Sequence, residues 1–219
     1  MIIVGLSDIH GGKDTILRMA ETLAGADVVA LAGDITHFGK DTQAREVLKP
    51  LFEHAKKVIA VPGNCDYPEV DICIDSHGIN LHARGTVHNG IGFIGLGGSL
   101  ITPFHTPNEY TEDEVRRLLN QGHSQLPSDL PLVLVSHQPP IGTTCDRISS
   151  GEHVGSIAVR EFIEVHQPRV CICGHIHESR NVDKINDTWI INPGMLGKGH
   201  YAFVRIGEGK EIFEVRKIP

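Results

Sequence analysis

Five short apolar runs dominate the pattern along the chain, and each breaks off at polar residues. They are Ile2–Leu6 before Ser7-Asp8-Ile9-His10, Val28–Ala32 before Gly33-Asp34, Val58–Val61 before Pro62-Gly63-Asn64-Cys65-Asp66, Leu132–Val135 before Ser136-His137, and Val170–Cys173 before Gly174-His175-Ile176-His177. Unbroken apolar runs of this length predict strands buried on both faces. A helix is predicted near Asp14–Leu23, with Ile16, Leu17, Ala20 and Leu23 on one face, and a second near Thr42–Ala55. The alternation reads βαβαβ, a parallel sheet flanked by helices.

Further along, the period changes. Thr86–His88 and Ile91–Leu96 flank Asn89-Gly90 and predict a hairpin on a type I′ turn. A helix near Glu112–Gln121 opens with a Thr111…Glu114 capping box and carries Val115, Leu118 and Leu119 as its apolar stripe. Another is expected near Ser156–His166. The tail returns to strands: Asn181–Ile185 and Thr188–Ile191 around Asn186-Asp187, then Ala202–Ile206 and Glu211–Val215 around Gly207-Glu208-Gly209. These added antiparallel strands predict a second sheet packed on the first. The connections 97–110 and 138–155 are too long for plain connectors. The second leaves the same sheet edge as the polar strand ends, which suits a loop that meets substrate.

Composition narrows the class. With 219 residues and 40% hydrophobic content, one compact domain over 1–219 is expected. The net charge of −7 offers no basic field for a long nucleic acid or an anionic membrane. No apolar stretch approaches the roughly 20 residues of a membrane span, and Asp8 cuts short the apolar start that a secretion signal would need. A cytoplasmic location follows. The five cysteines include no C-x-x-C pair, so neither a disulfide framework nor a structural zinc knuckle is expected. Cys171 and Cys173 share a strand face and read as small core residues.

The strand endings carry the chemistry. Asp8, His10, Asp34, Asn64, His137, His175 and His177 are oxygen or imidazole donors, and in an open α/β sheet such ends meet at one edge. Taken singly, Asp34, Asn64 and His137 also read as ordinary turn or loop residues. Seven donors exceed what one catalytic zinc takes, which is three plus water. They suit two divalent ions sharing a bridging carboxylate, with Mn, Fe, Zn, Ni or Co all compatible with this mixed donor set.

The blocks Asp8-x-His10, Gly33-Asp34, Gly63-Asn64-Cys65-Asp66, His137 and Gly174-His175-x-His177, in that order, resemble the calcineurin-like metallophosphoesterase superfamily. Asp146-Arg147…Gly151-x-His153-Val154-Gly155-Ser156 and Gly174–Ser179 are similar to its Icc-related predicted phosphoesterases. The resemblance implies a four-layer α/β/β/α sandwich. It also implies roles: Asp8, His10 and His177 on the first metal, Asn64, His137 and His175 on the second, and Asp34 between them. Asn64 would also touch a phosphate oxygen. Asn192-Pro193-Gly194 resembles a family loop near the metals. The implied activity is hydrolysis of a small phosphate ester by a metal-bridging hydroxide, with manganese as the first expectation for the two ions.

One position departs from the pattern. Where many relatives carry a histidine after the Asn, thought to protonate the leaving group, this chain has Cys65. Asp66 then has no imidazole to orient. Cys65 reads as a weak acid, a space-filler or an extra ligand. Without a placed acid, poor leaving groups suffer most, so a phosphodiesterase is favoured over a monoesterase. Arg147 and His153 are the substrate candidates of the second long loop. Alternatives are a cyclic-nucleotide phosphodiesterase or nuclease, and a metal-binding interaction scaffold without activity. The oligomeric state is left open by the sequence.

Overall fold

The computed structural model describes residues 1–207 and 209–218, so Glu208 of the last predicted turn lies outside the described residues. In chain order the elements begin with β1 (Ile2–Leu6), α1 (Lys13–Leu17), α2 (Ala20–Gly25), β2 (Val28–Ala32), α3 (Asp41–His54), β3 (Val58–Val61) and α4 (Pro68–Ser76). The middle holds β4 (Gly85–His88), β5 (Ile91–Leu96), β6 (Ser99–Leu100), β7 (Glu109–Tyr110), α5 (Glu112–His123) and β8 (Leu132–Ser136). The chain closes with α6 (Ile157–His166), β9 (Val170–Ile172), β10 (Asn181–Ile185), β11 (Thr188–Asn192), β12 (His200–Arg205) and β13 (Ile212–Lys217).

Two sheets stack face to face. The first runs β13-β12-β1-β2-β3, and the second β10-β11-β9-β8-β5-β4. Ile3, Ala30, Ile59 and Val61 of the first interleave with Phe93, Val133, Val135 and Ile172 of the second, all buried. Helices α1 to α4 bury Ile16, Leu23, Leu48 and Ile74 on the outer face of the first sheet. Helices α5 and α6 bury Leu119, Val159 and Ile163 on the outer face of the second. The result is the four-layer α/β/β/α sandwich expected. Among the described residues no helix is long and apolar enough to cross a membrane.

The division of strands differs from the single parallel sheet read along the chain. β1, β2 and β3 are parallel neighbours. β8 and β9, however, belong to the second sheet, whose centre β5-β8-β9-β11 is itself parallel. The antiparallel tail pair β12–β13 joins the first sheet instead, beside β1. A strand buried on both faces looks the same in either sheet, so an apolar run does not report its neighbours.

Local details also shift. The predicted helix at Asp14–Leu23 is broken at Arg18-Met19 by a tight turn, Met19 N donating to Ile16 O at 2.9 Å. That turn advances the chain three residues instead of 3.6. Met19 therefore enters the core and Leu17 turns out to solvent. Helix α4 follows Asn64-Cys65-Asp66 and was not foreseen. Its signals are Pro68 at the first helical position, Glu69 and Asp71 in the first turn, and Val70, Cys73 and Ile74 facing inward. The Thr111–Glu114 capping box and the left-handed Asn89 and Asn186 turns are present as read.

Phe93 is fully buried between the sheets. Phe93→Ala is expected to cost about 3–5 kcal/mol of stability in urea unfolding, because the gap it leaves is lined on both sides.

Candidate metal centre

The strand ends of both sheets open at one edge of the sandwich. Backbone pairing continues past β1 and β2: Asp8 N donates to Gly33 O at 3.1 Å and His10 N to Asp34 O at 2.9 Å. On the second sheet, His137 N donates to Leu96 O at 2.9 Å and Gly174 N to His137 O at 3.1 Å. The sheets then touch through His137, whose Nδ1 lies 2.8 Å from Ala32 O. Asp8, His10, Asp34 and His175 all hold positive φ, between 48° and 67°. Left-handed backbone is costly for non-glycine residues and concentrates at functional sites.

Two glycines permit the close approach. A Cβ on Gly63 would overlap the Asp34 carboxylate, and one on Gly174 would overlap the Ser7 hydroxyl and crowd Asp8 Oδ2. These residues precede Asn64 and His175, so the Gly-Asn and Gly-His pairs of the sequence are places where two strand ends pass side by side.

Four of the donors gather closely, while His137 and Asn64 approach Asp34 from its other side and His175 lies beside His137. Ligand atoms of Asp8, His10, Asp34 and His177 lie within 4.8 Å of one another. His177 Nε2 is 3.1 Å from Asp8 Oδ1 and 3.3 Å from His10 Nε2, and His10 Nε2 is 3.7 Å from Asp34 Oδ2. On the other side, His137 Nε2 is 2.8 Å from Asn64 Oδ1 and 3.5 Å from Asp34 Oδ1. His175 packs against His137 with ring centres 5.2 Å apart.

This arrangement fits divalent cations. Asp8 and Asp34 are buried, and among the described residues their ion-pair partners are histidines, with no lysine or arginine. A buried carboxylate without a firm counter-charge is expensive. Two imidazole nitrogens facing at 3.3 Å need a proton or a cation between them, and His10 Nδ1 is buried with no partner. Burial would raise the Asp8 carboxyl, but the His177 hydrogen bond and the His137 and His177 charges outweigh it and hold it at about 2. Burial, helped by the His137 charge, lowers His175 to about 4, which leaves it neutral as a ligand must be. The hydrogen bond to Asp8 raises His177.

Around this group lie the other candidates. Cys65 is half-buried in the cleft and its N–H donates to Asp34 Oδ1 at 2.9 Å. Burial, then the Asp34 charge, pushes its thiol up. Asp66 is buried. Its Oδ2 accepts from Gly63 N at 2.8 Å and Ile35 N at 3.0 Å, and its Oδ1 from Thr36 N at 2.8 Å and Thr36 Oγ1 at 2.7 Å. It clamps the Asp34 turn to the Asn64 turn. Asn192 braces the far side, its Nδ2 donating to Ile176 O at 2.9 Å.

Arg147 and His153 lie outside the cavities that meet the centre. His153 Nδ1 is bound to buried Asp146 at 2.7 Å, and Arg147 faces a separate recess beside Ser179 and Arg180. Asp146 also accepts from Thr143 N and Gly155 N, at 2.8 and 3.0 Å, and so holds the whole loop. The sequence reading missed His37, which lines the cleft edge-on to His10 with ring centres 5.3 Å apart. Its signal was available: it lies three residues after Asp34. Thr106 was also missed; its hydroxyl accepts from Asn64 Nδ2 at 3.1 Å.

Residues 1–179 match the family model described as calcineurin-like phosphoesterase. An uncharacterised protein of Methanocaldococcus jannaschii is 42% identical over 197 residues, covering 88% of each chain. Among solved structures, TT1561 of Thermus thermophilus superposes with a TM-score of 0.77 at 20% identity, over 100% of this chain and 99% of that one. A dimetal phosphatase from Danio rerio superposes with a TM-score of 0.70 at 13% identity, over 100% of this chain and 96% of that one.

Asp66→Asn keeps the shape but turns an NH2 group towards two backbone or hydroxyl donors. It is expected to cost about 1–3 kcal/mol in urea unfolding, with weaker metal retention on dialysis because the Asp34 and Asn64 turns loosen together.

Proposed function

Because this chain belongs to the calcineurin-like phosphoesterase family, we propose that it is a dinuclear metal-dependent phosphoesterase that favours phosphodiesters. The observation that carries this reading is the close group Asp8, His10, Asp34 and His177, with His137 and Asn64 meeting Asp34 from its other side. Asp8, His10 and His177 would hold one ion and Asn64, His137 and His175 the other, with Asp34 placed to serve both. When bound, such ions would supply a water of lowered pKa and positive charge against the phosphoryl oxygens. Manganese is the first choice of metal, and this nitrogen and oxygen donor set also accepts Fe, Ni, Zn or Co.

The protein's own groups do the rest. Ser7 donates to Asp8 Oδ2 at 2.8 Å and His175 N to the same carboxylate at 3.2 Å, fixing its orientation. The His137 Nδ1 contact with Ala32 O sets that ring's tautomer, N–H towards the carbonyl and Nε2 free as a ligand. Asn64 is held through its Nδ2, which donates to the Thr106 hydroxyl, so that its Oδ1 faces His137. The preference for diesters rests on Cys65. A half-buried thiol takes the place of the imidazole that would protonate the leaving group, and thiols are poor substitutes for imidazole in this task near neutral pH. The free thiols, all five unpaired, accord with a cytoplasmic site of action.

Chelator-treated protein is expected to lose hydrolysis of bis-p-nitrophenyl phosphate and to regain it with Mn2+. Asp34→Asn should lower reconstituted activity at least about a hundredfold, since even residues behind the ligands cost 10–100-fold. A chain that retains no divalent metal and hydrolyses no ester after reconstitution would overturn the reading. Cys65→His is expected to raise the ratio of monoester to diester turnover by about tenfold or more. An unchanged ratio would remove the leaving-group argument. The same comparison in a His37→Ala background separates any contribution from that cleft histidine.

A further inference from the structure

The two long loops enclose a second cavity of about 620 Å³. Loop 97–110 contributes Ile101, Pro103 and Phe104, loop 138–155 contributes Ile148 and Val154, and Ile176 lies beneath. The cavity shares Asn64, Phe104 and His175 with the cleft beside Asp34, itself about 580 Å³, so the two meet at those residues. Among the described residues its lining holds no lysine or arginine, and its one carboxylate is Glu178.

The walls are built, not incidental. Gln138 is buried between the loops: Leu100 N donates to its Oε1 at 3.0 Å and its Nε2 donates to Val154 O at 2.9 Å. Loop 97–110 is tied to the strand end by Asn108, which donates to Gly63 O at 3.1 Å and to Asn64 O at 3.2 Å. Glu109 gathers Thr102 and Thr106, each at 2.6 Å. The far wall hangs on Asp146, and Ser149 bonds Glu178 through both its N–H and its hydroxyl at 3.2 Å. Against this framework Ile101 is 65% and Phe104 82% exposed. Large apolar side chains presented to water from a braced loop, beside a reaction centre, mark a surface meant to be covered.

Resting on the phosphoesterase reading, we infer that this cavity seats the organic group of the substrate, and that this group is uncharged and largely hydrocarbon or aromatic. The phosphoryl group then lies across Asn64 and His175. A second anionic group is disfavoured, because the lining offers Glu178 and no cation.

Non-hydrolysable n-alkylphosphonates test this by calorimetry on the full chain loaded with Mn2+. From methyl to hexyl, affinity is expected to rise about fourfold per methylene, with an increasingly negative heat-capacity change. Ile101→Asp, at an exposed position where folding is little affected, should flatten that dependence. 6-Phosphonohexanoate should bind at least tenfold more weakly than hexylphosphonate. Affinities independent of chain length, a slope unchanged in Ile101→Asp, or equal binding of the carboxylate-tipped chain would each overturn the assignment. A steep slope without metal-stimulated ester hydrolysis would instead leave the cavity assigned and overturn the phosphoesterase reading.

Discussion

Asp8 and Asp34 lie buried at the ends of neighbouring strands, and among the described residues their ion-pair partners are imidazoles. Much of the surrounding structure is explained by the need to keep that negative charge in place. Left-handed backbone at Asp8, His10, Asp34 and His175 aims donors inward at a local cost. Gly63 and Gly174 let strand ends pass closer than any side chain would allow. Asp66 and Asn192, neither a proposed ligand, tie the turns together from behind. Such a site is stable to distortion because each turn is held from more than one direction, and the charge it concentrates is what a divalent ion neutralises.

On this reading the two cavities divide the labour. The cleft brings together Asp34, Cys65, His37 and His177, the donors suited to the phosphoryl group. The neighbouring groove is apolar and serves what the phosphate is attached to. Phe104 stands between them and belongs to both. Cys65 lies in the cleft beside Asp34, where burial and the carboxylate push its thiol up. Loop 138–155, expected from its length and its exit at the polar sheet edge to meet substrate, reaches the groove through Ile148 and Val154, while Arg147 and His153 bond within the loop to Gly151 O and Asp146.

Much of the fold was legible because the β-strand pattern is strong where strands are wholly buried. The five apolar runs mark β1, β2, β3, β8 and β9 with little error. The capping box and the Asn turns act over a few residues and were equally readable. Helix α4 was overlooked beside a reactive-looking motif, although Pro68 and the following acids announce it. The break at Met19 was not readable, since nothing in Leu17-Arg18-Met19 forbids a continuous helix; packing of Met19 selects it.

By itself the sequence determined which residues end each buried strand, and thus the chemical character of one edge: carboxylate, amide and imidazole, with no lysine or arginine among the strand-end residues. These are local facts, carried by apolar runs and the residues that stop them. Only the tertiary structure decided that the strands divide between two sheets, that His137 reaches Ala32 across the gap, and that Asp66 clamps two turns instead of facing substrate. It alone placed the loops so that Ile101 and Ile148, 47 residues apart, line one groove. Sheet membership and loop placement depend on which distant surfaces pack together, and a hydrophobic run looks the same whichever neighbour it buries against.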